Sequence, residues 1–572
     1  MVTGSARPRG PRAGRARKIR VSLLLSRPMT TAAATPTPSA APAPAAPAPA
    51  NVSGPGSSAA APTRMLEKRS PVTGARLGEY PVTGAAEVDA AVARARAAFP
   101  GWRDTPLAVR LAAIDRARGV LTEHAERYAR KIADDTGKPV FEALMFELAL
   151  VPMFLDHYAK RAPKLLARRK VATPLMLPGK TSYIEHFPRG VIGIIAPWNF
   201  PFQLSVLPVI SALIGGNTAV LKPSEVTPLT GEVIADFFQR LGLPAGVVEI
   251  VPGDGSTGAA LTKADVDMLF FTGSVTTGRK VMAAAAERPI PVELELGGKD
   301  AFIVCADANL ERAASAAVVG GLANCGQACI SVERIFVVDS VHDKFVELLR
   351  QKVGKITVGG PDEQADMGPM TFPGQLATVE RHVEGARAAG AKVLTGGQRL
   401  ERDGLFYPPT LVTEVRPDMQ IFREETFGPV LPVIRVRDEE EAVRLANASE
   451  YGLAGSVWTA DIDKGLRLAS RLECGQVMIN DVLNSAGHPG LPFGGIRSSG
   501  IGRYHGDEGI LTFMHTRALL VDKGKNDKEP LWYPYGQKLG SALELFTGLA
   551  GKKLGKLVKG FLGLRKAMNS DG

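Results

Sequence analysis

The run Val191-Ile192-Gly193-Ile194-Ile195-Ala196-Pro197-Trp198-Asn199-Phe200-Pro201 decides the fold. Its first five residues are continuously apolar, which is typical of a strand buried on both faces of a parallel sheet. Polar and proline residues end the run, and a segment with helical apolar spacing follows to Ile214.

The same succession of apolar strand, polar strand end and helix occurs three more times. The strands are predicted at Thr218–Leu221, Val247–Val251 and Met268–Phe271, and their ends carry Lys222-Pro223-Ser224-Glu225, Gly253-Asp254-Gly255, and Thr272-Gly273-Ser274 with Gly278. Repeated units of this kind predict a parallel sheet covered by helices, with ligands bound beyond the carboxyl ends of its strands. The glycines do not form the G-x-G-x-x-G dinucleotide fingerprint. Four such strand ends nevertheless favour a nucleotide, and Lys222 is either a solvated loop lysine or a contact to phosphate or ribose.

Composition narrows the class of protein. The chain has 572 residues, 45% of them hydrophobic, which is enough for about two to four domains. Four cysteines exclude a disulfide scaffold and predict a reducing compartment such as the cytoplasm. The net charge of +11 lies in the ends, with +8 in residues 1–62, +5 in residues 551–572 and −2 in the remainder. The basicity of the chain is therefore no argument for nucleic-acid binding.

Two of the cysteines lie in Asn324-Cys325-Gly326-Gln327-Ala328-Cys329. Both could be small buried hydrophobes, the commonest state of a free cysteine. Alternatively, one is a thiolate nucleophile on a loop that enters a helix, where backbone N–H groups lower the thiol pKa. The chain has no Cys-x-x-Cys pair, so we expect no metal site.

A pair of glutamates alternates in Val292-Glu293-Leu294-Glu295-Leu296-Gly297-Gly298-Lys299. Alternation in a strand usually indicates a solvated face, so we expect Glu293 to be an ordinary surface residue. Glu295 adjoins a glycine pair that permits close approach, and it is a candidate general base with a pKa raised by burial.

The remaining elements frame this region. Helices are expected at 88–99, 107–133 and 141–166, followed by a hairpin at 169–188 that turns at Pro178-Gly179. A further block of strands and helices runs from about 301 to 491 and includes Glu424-Glu425-Thr426-Phe427-Gly428-Pro429.

Taken together, these stretches resemble the aldehyde dehydrogenase superfamily over residues 65–520. Seven matches occur in family order: Pro197 to Pro201, Lys222 to Glu225, Phe271 to Ser274, Glu295 to Lys299, Asn324 to Cys329, Glu424 to Pro429, and Pro492 to Gly495 with Ser499-Gly500. The resemblance implies an α/β fold with a Rossmann-like NAD(P)-binding domain at 63–297, whose hairpin 169–188 belongs to an oligomerisation arm. It also implies a catalytic domain at 298–490, and a return to the core with an arm strand near Leu511–Val521 within 491–525.

The resemblance assigns a role to each residue at the matched positions. Cys329 would attack the aldehyde carbon, and the Asn199 amide with the Cys329 backbone N–H would hold the oxyanion. Glu295 would activate the water that hydrolyses the thioester. Glu425 and Phe427 would hold the nicotinamide ribose and ring, and other strand-end residues would hold the rest of the cofactor: Ala196, Pro197, Trp198, Lys222, Glu225, Gly255, Gly273, Ser274 and Gly278.

The implied cofactor is NAD, with NADP as the alternative, and the implied assembly is a homodimer or homotetramer. Glu225 near a ribose 2′-hydroxyl would repel a 2′-phosphate and so favours NAD. Cys325 is expected to be a packing residue, with a reversible disulfide to Cys329 as the alternative. Tyr504-His505-Gly506 and Trp532-Tyr533-Pro534-Tyr535 resemble the class 3 branch, whose substrates include fatty and aromatic aldehydes, whereas Arg503 resembles the broader bacterial type.

Two other functions compete with this one. A CoA-acylating relative would pass the thioester to a thiol and would not need Glu295 as a base. A catalytically inactive fold kept as a binding protein would not need the set Cys329, Glu295 and Asn199.

The two ends of the chain lie outside the resemblance. Residues 1–62 are rich in Arg and then in Ala and Pro, which predicts a disordered segment: a linker, a transit peptide, or an over-extended reading frame with Met29 or Met65 as the true start. Residues 526–572 form a basic tail in which 536–566 combine helical apolar spacing with a lysine-rich face. This predicts an interfacial helix on anionic lipid or, as an equal alternative, a helix docked on the enzyme or a partner subunit.

Overall fold

A computed structural model of the chain describes residues 64–174 and 176–570. The predicted Arg-rich and Ala/Pro-rich tail at 1–62 lies outside the described residues. Within them, strands and helices alternate through most of the chain.

The strands in chain order are β1 (Met65–Arg69), β2 (Arg76–Pro81), β3 (Arg169–Val171), β4 (Thr181–Pro188), β5 (Val191–Ile195), β6 (Thr218–Lys222), β7 (Val248–Ile250), β8 (Met268–Thr272), β9 (Val292–Glu295), β10 (Asp300–Val304), β11 (Val332–Val338), β12 (Lys392–Thr395), β13 (Thr410–Thr413), β14 (Val430–Val436), β15 (Ala454–Trp458), β16 (Gln476–Ile479), β17 (Gly500–Ile501) and β18 (Met514–Val521).

The helices are α1 (Ala85–Asp104), α2 (Leu107–Asp115), α3 (Ala117–Thr136), α4 (Val140–Glu142), α5 (Leu150–Leu165), α6 (Gln203–Gly215), α7 (Pro228–Arg240), α8 (Gly255–Lys263), α9 (Val275–Glu287), α10 (Leu310–Leu322), α11 (Asp339–Val353), α12 (Pro373–Ala388), α13 (Gln420–Arg423), α14 (Glu439–Asn447), α15 (Ile462–Ala469), α16 (Asn484–Gly487), α17 (Glu508–Leu511), α18 (Leu539–Ala550) and α19 (Leu554–Ser570).

The first sheet has the strand order β17-β9-β8-β5-β6-β7. The four pairings among β9, β8, β5, β6 and β7 are all parallel, whereas β17 joins β9 antiparallel. Every residue of β5, β6 and β8 is buried, as the continuous apolar runs predict. The predicted parallel α/β sheet is confirmed, although its third strand is shorter than expected, at Val248–Ile250 rather than Val247–Val251.

The second sheet has the order β12-β13-β14-β11-β10-β15-β16 and is parallel except for β12. It begins at Asp300, immediately after β9 of the first sheet ends at Glu295. The short connection 296–299 therefore links β9 of the first sheet directly to β10, an interior strand of the second.

A third, antiparallel sheet has the order β18-β4-β3 and contains the hairpin and the strand that the resemblance assigned to an arm. The hairpin prediction at 169–188 is confirmed, with Gly179 at φ +78° in its turn. The arm strand begins at Met514 and not at Leu511, because Glu508–Leu511 forms a helical turn first.

Two predicted helices are divided. The segment 107–133 forms α2 and α3, which meet at Arg116, and 141–166 contains a π-helical turn at Ala143–Leu148 before α5. Apolar periodicity marks the buried faces of these segments but does not register a change of helix axis.

The C-terminal tail forms two helices, α18 and α19, rather than one. Three of its glycines permit the close approach of the two helices: a Cβ on Gly548 would lie 2.3 Å from the Leu557 backbone, one on Gly560 2.2 Å from the Leu545 backbone, and one on Gly563 2.3 Å from Ser541. These glycines therefore allow the helices to pack, in addition to weakening each helix as expected from their propensity. Among the described residues, no helix is both long and apolar enough to span a membrane.

Candidate active site

The carboxyl ends of β5, β8 and β9 and the cysteine loop meet in a single cavity of ≈ 180 Å³. Nine residues singled out from the sequence line it, namely Pro197, Trp198, Asn199, Gly273, Ser274, Glu295, Cys329, Glu425 and Phe427. These residues come from both parallel sheets and from the loops between them, so the cavity forms only when the two sheets are packed together.

Cys329 lies in a turn, in contrast to the helix start that we expected. A 3₁₀ turn at Ala323–Gly326 precedes it, and β11 begins three residues later at Val332. The turn is held in an unusual backbone conformation, with φ +52° at Asn324 and +56° at Cys325. A Cβ on Gly326, where φ is +69°, would meet the Gly428 carbonyl oxygen at 2.1 Å. The loop is thus shaped by close backbone packing rather than by a helix N-terminus.

The environment of the Cys329 thiol favours its neutral form. Burial raises the pKa of the thiol well above its usual value, and the carboxyl groups of Asp300, Glu295 and Glu425 raise it further. A thiol in these surroundings must give its proton to a base when it attacks a carbon. Glu295 lines the same cavity and is a carboxyl that can accept it.

Cys325 has a different environment, although it is only four residues away. It is buried, and its Sγ lies 3.6 Å from the Met370 Sδ. The position agrees with the packing interpretation, and all four cysteines in the described residues are free thiols.

Asn199 is fixed by a buried polar network that the sequence did not reveal. Its Nδ2 donates to the Gln327 carbonyl (3.1 Å), and its own carbonyl accepts from Lys138 Nζ (2.8 Å) and Asn324 Nδ2 (2.8 Å). Lys138 also donates to Glu147 (2.7 Å), whose second oxygen accepts the Phe202 N–H at 2.7 Å. The network joins the loop after β5 to the cysteine loop and so fixes the relative position of Asn199 and Cys329. Neither Lys138 nor Glu147 belongs to a recognisable motif, since Lys138 lies in the loop between α3 and α4 and Glu147 lies in the π-helical turn that follows.

Glu295 is buried at the end of β9, and neither of its carboxyl oxygens has a hydrogen-bond partner among the described residues. Burial raises its pKa well above the usual value, the nearby Glu293 raises it further, and Arg503 opposes the shift. A Cβ on Gly494 (φ +153°) would lie 2.9 Å from Glu295 Oε1. The side chain therefore has the unpaired oxygens and the raised pKa that a general base near neutral pH requires.

The expectation that Glu293 is a solvated surface residue is wrong. Glu293 is 2% exposed, and its Oε2 accepts a hydrogen bond from Thr512 Oγ1 at 2.6 Å. Burial raises its pKa to about 7, although the Thr512 hydroxyl, Arg503 and Arg189 act in the other direction. The covering residues follow Glu293 by about 200 positions, so the local alternation gave no sign of them.

The far end of the cavity fits a dinucleotide. The Ser274 side chain accepts from the Thr277 N–H and caps α9, so the positive end of a 13-residue helix faces the cavity. Glu425 accepts the Gly298 N–H at 3.0 Å, and a Cβ on Gly297 would meet its carboxyl at 2.2 Å. Burial raises the pKa of Glu425 to about 8. A carboxyl that is held against a glycine backbone in this way can accept from ribose hydroxyls.

Phe427 closes the same end of the cavity. Its φ is +51°, in the left-handed region that non-glycine residues rarely adopt, and its N–H donates to Glu333 at 2.8 Å. Its ring packs edge-on against Trp198 with 5.4 Å between the ring centroids. The strained backbone and the aromatic contact together fix the ring at the wall of the cavity.

The other five predicted cofactor residues do not line this cavity. Lys222 is the buried last residue of β6 and forms an ion pair with Glu225, three residues later. Ala196 donates its N–H to the Lys222 carbonyl at 3.0 Å. Gly255 begins α8, with open space where a Cβ would lie. Gly278 is buried inside α9, where a Cβ would lie 2.6 Å from Leu296. Gly278 therefore contributes the close packing of α9, and its predicted role in binding is at most indirect.

Further residues complete the lining, and of these Leu204, Gln375 and Thr378 carried no functional signal in the sequence. Apart from the predicted set, the lining contains Leu204, Thr272, Leu296, Gly297, Gln375, Thr378, Phe493 and Tyr504. Tyr504, which in the sequence only resembles a family branch, lines the site and packs edge-on against Phe493 with 5.4 Å between the ring centroids. No basic side chain belongs to this lining in the described part of the chain.

Comparison with known proteins agrees with this architecture. The family model described as "Aldehyde dehydrogenase family" matches residues 58–519. A Methylomonas protein named 4,4'-diapolycopene aldehyde oxidase is 44% identical over 480 residues, which cover 84% of this chain and 89% of the relative. A Mycobacterium bovis protein named as a candidate succinate-semialdehyde dehydrogenase [NADP(+)] is 39% identical over 480 residues, which cover 83% of this chain and 92% of the relative.

Solved structures agree as well. The crystal structure of a Mycobacterium tuberculosis aldehyde dehydrogenase complexed with NAD+ superposes with a TM-score of 0.77 at 38% identity, and the match covers 81% of this chain and 95% of that one. The chain therefore belongs to the aldehyde dehydrogenase family and is an NAD(P)-dependent aldehyde dehydrogenase with the fold of that family.

Proposed function

We propose that the chain oxidises its aldehyde through a covalent bond to Cys329 and releases the free carboxylic acid. The observation that supports this most directly is the presence of Cys329, Glu295 and Asn199 in one cavity that also contains the capped start of α9, Glu425 and Phe427. A nucleophile, a base and an amide donor are the three groups that acyl-transfer chemistry requires.

The first half of the reaction forms a carbon–sulfur bond. The Cys329 thiol gives its proton to a base as the sulfur attacks the aldehyde carbon, and the carbonyl oxygen becomes an oxyanion. The Asn199 amide and the Cys329 N–H donate to that oxyanion. When bound, NAD(P)+ accepts the two electrons and the hydrogen that leave the carbon as hydride. Cys329 then carries a thioester.

The second half requires water. Glu295 removes a proton from a water molecule, which attacks the thioester carbon; the acid leaves and the Cys329 sulfur regains its proton. The buried, unpartnered carboxyl of Glu295 is suited to this step because a strong base accepts the proton of water more readily.

We also propose that residues 63–297, built on the first parallel sheet, bind the cofactor and that residues 298–490, built on the second, carry the nucleophile. Glu425 and Phe427 would hold the nicotinamide ribose and ring, and Gly273 and Ser274 the pyrophosphate at the start of α9. Lys222 and Glu225 would hold the adenosine ribose, with Ala196, Pro197, Trp198 and Gly255 along the wall. The Lys222–Glu225 ion pair would open when a ribose hydroxyl replaces one partner. The carboxylate of Glu225 favours NAD, and initial rates with NAD and NADP would decide between the two.

Asn199→Ala should lower kcat by about 10²–10³, because it removes one oxyanion donor from a dry site. The measurement is steady-state kcat with a saturating aldehyde, together with a thermal melt that checks folding of the buried network around Lys138. A loss below about threefold would contradict the oxyanion role of Asn199, since one donor of such a pair contributes far more.

The alternative CoA-acylating function makes a different prediction about products. If the thioester passes to CoA, turnover depends on CoA; if water accepts the acyl group, acid forms without it. Glu295 favours hydrolysis, and product analysis with and without CoA separates the two. A chain with neither activity but intact dinucleotide binding would instead be the inactive binding protein.

The lining favours an uncharged, apolar aldehyde. Leu204, Phe493, Tyr504 and Trp198 are among the lining residues, and no described lining residue can pair with a second carboxylate on the substrate. The Methylomonas relative is named for a polyene aldehyde, which is consistent with this substrate class. Comparison of kcat/KM across aliphatic chain lengths, aromatic aldehydes and succinate semialdehyde tests it; a preference for the last would overturn it.

We propose further that the arm makes a homodimer or homotetramer. Strand β18 is an edge strand with Leu520 and Val521 exposed, which is a surface that a second chain can cover. Sedimentation of the wild type and of Leu520→Lys tests this, and an unchanged monomer in the wild type would contradict it.

The tail supports a contact with anionic membrane surfaces. Helices α18 and α19 expose a series of large apolar side chains, and aromatic residues lie exposed just before them: Leu531, Trp532, Tyr533, Tyr535, Leu539, Leu543, Phe546, Leu549, Leu554, Val558 and Leu562. Basic side chains at Lys552, Lys553, Lys556, Lys559, Arg565 and Lys566 accompany them. Apolar side chains beside cations, with Trp and Tyr at the margin, favour the bilayer interface. The enzyme would then be cytoplasmic and peripheral at a membrane, where apolar aldehydes partition.

Removal of residues 536–572 should abolish flotation with vesicles rich in anionic lipid, while the full chain floats. Each exposed apolar side chain that enters the interface contributes, so a full-length Leu543→Glu, Phe546→Glu variant should also stay in the pellet. Vesicles of neutral lipid serve as the control for charge. Equal flotation of the full and shortened chains would contradict membrane contact, and sedimentation of both would then show whether the tail instead joins subunits.

A further inference from the structure

Glu293 and Glu295 form a pair of buried carboxyls on one face of β9. Residues two apart in a strand point to the same side of the sheet, so both side chains enter the same interior. They are 2% and 3% exposed. Strand β17 covers one edge of β9, with Gly500 opposite Glu295 and Ile501 opposite Leu294, and β8 covers the other. Both carboxyls are therefore shielded from bulk solvent.

The surroundings of Glu293 stabilise a negative charge better than those of Glu295. Glu293 accepts from the Thr512 hydroxyl at 2.6 Å, whereas Glu295 has no described partner on either oxygen. Arg189 and Arg503 both lower the pKa of Glu293. Of these two arginines, only Arg503 also lowers the pKa of Glu295. The remaining titratable groups that interact with the pair are Tyr504 and Cys329. The first negative charge therefore resides on Glu293, and that charge makes Glu295 hold its proton more tightly.

The carboxyl of Glu293 packs against the segment that follows β17. The backbone of Gly502, at φ +95°, packs against its carboxyl, because a Cβ there would lie 2.2 Å from Glu293 Oε2. Gly502 is exposed, and Arg503 Nη1 donates to its carbonyl. Any larger residue in place of Gly502 would displace the Glu293 carboxyl, so the close packing of this carboxyl requires glycine at position 502.

We propose that Glu293 is a positioning residue that controls the proton on Glu295, so that the two carboxyls act as one coupled pair in the hydrolysis step. The charge on Glu293 makes Glu295 a stronger base towards water, and it also raises the pH at which Glu295 becomes available. This inference rests on the proposed role of Glu295 as the base. Glu293 would then take part in the same reaction as Glu295, although Glu293 itself does not contact the substrate.

The test is the pH profile of thioester hydrolysis in Glu293→Gln. The glutamine amide oxygen still accepts from Thr512, so shape is retained while the charge is lost. We expect the midpoint of the hydrolysis-limited kcat to move down by about one pH unit, since a like charge is removed from a low-dielectric site. The plateau at high pH should fall several-fold because Glu295 becomes a weaker base. The NADH burst, which reports the formation of the thioester, should keep its amplitude.

Two further variants keep the test decisive if Glu293→Gln is poorly folded. Thr512→Val removes the hydroxyl that stabilises the Glu293 carboxylate, so its midpoint should move in the same direction but by less. Glu249→Gln, on β7 at the opposite edge of the same sheet and paired with exposed Arg94, serves as the matched control and should leave the profile unchanged.

A wild-type midpoint in both Glu293→Gln and Thr512→Val, with thermal melts that show folded protein, would overturn the proposal. If Glu293→Gln leaves the profile unchanged while Glu295→Gln still stalls after the burst, the pair is refuted and the role of Glu295 stands. If Glu295→Gln turns over normally, the proposed base itself is wrong.

Discussion

Cys329→Ala is expected to abolish aldehyde oxidation and to leave dinucleotide binding intact. The substitution removes the atom that forms the carbon–sulfur bond, and losses of about 10⁴–10⁶ in kcat are usual when a covalent nucleophile is deleted. The cavity keeps its shape, because one methyl-sized group replaces a thiol at its wall. The measurements are NADH formation over hours and titration of NAD binding by calorimetry.

Cys325→Ala supplies the matched control four residues away. That thiol is buried beside Met370, so its loss should lower stability by about 1–2 kcal/mol, as for other small deletions in a core, and should preserve turnover. Residual turnover above a few per cent in Cys329→Ala, or inactivity of Cys325→Ala with an unchanged melting temperature, would contradict the assignment of the nucleophile.

Glu295→Gln should release one equivalent of NADH rapidly and then stop. The first half of the reaction does not need water, so the thioester accumulates on Cys329 when its hydrolysis lacks a base. We expect steady-state kcat to fall by about 10²–10⁴ while the burst persists. Stopped-flow absorbance measures the burst, and the mass of the stalled protein, increased by the acyl group, identifies the intermediate.

The pH dependence of the wild type follows from the same carboxyl. A base acts only when deprotonated, and the pKa of Glu295 is raised well above its usual value by burial and by Glu293. Hydrolysis should therefore slow as the pH falls through this raised pKa and should reach its plateau only on the alkaline side. Normal steady-state turnover of Glu295→Gln, or a rate that is constant from pH 6 to 9, would show that another group activates the water.

The residues of the active site could be identified from the sequence to the extent that they lie at strand ends. Asn199 and Gly273 each follow a buried apolar run, and Glu295 ends an alternating strand beside a glycine pair, so all three positions are visible in the sequence before any pairing is known. The residues that support them could not be identified in this way. Lys138 lies in the loop between α3 and α4 and Glu147 in a π-helical turn, and only their burial against Asn199 and Phe202 distinguishes them from other charged residues.

The conformation around Cys329 could not be predicted either. The expectation of a helix start relied on a general rule about cysteine reactivity, whereas the observed turn depends on Gly326 packing against the Gly428 backbone, about 100 residues later. Local propensity contains no information on such a contact, because the partner is distant in sequence.

The sequence by itself determined the parallel α/β architecture and the order of its strand ends, because buried strands need continuous apolar runs and their ends need polar or glycine residues. Only the tertiary structure decided that Glu293 is buried beside Glu295, since the covering residues Gly502 and Thr512 come from a strand-and-turn segment 200 positions later. Only the tertiary structure likewise decided that the tail is a pair of helices with glycines between them. The burial of a residue depends on which distant segments of the chain pack over it, and the local pattern of apolar and polar residues in a strand or helix contains no information on those segments.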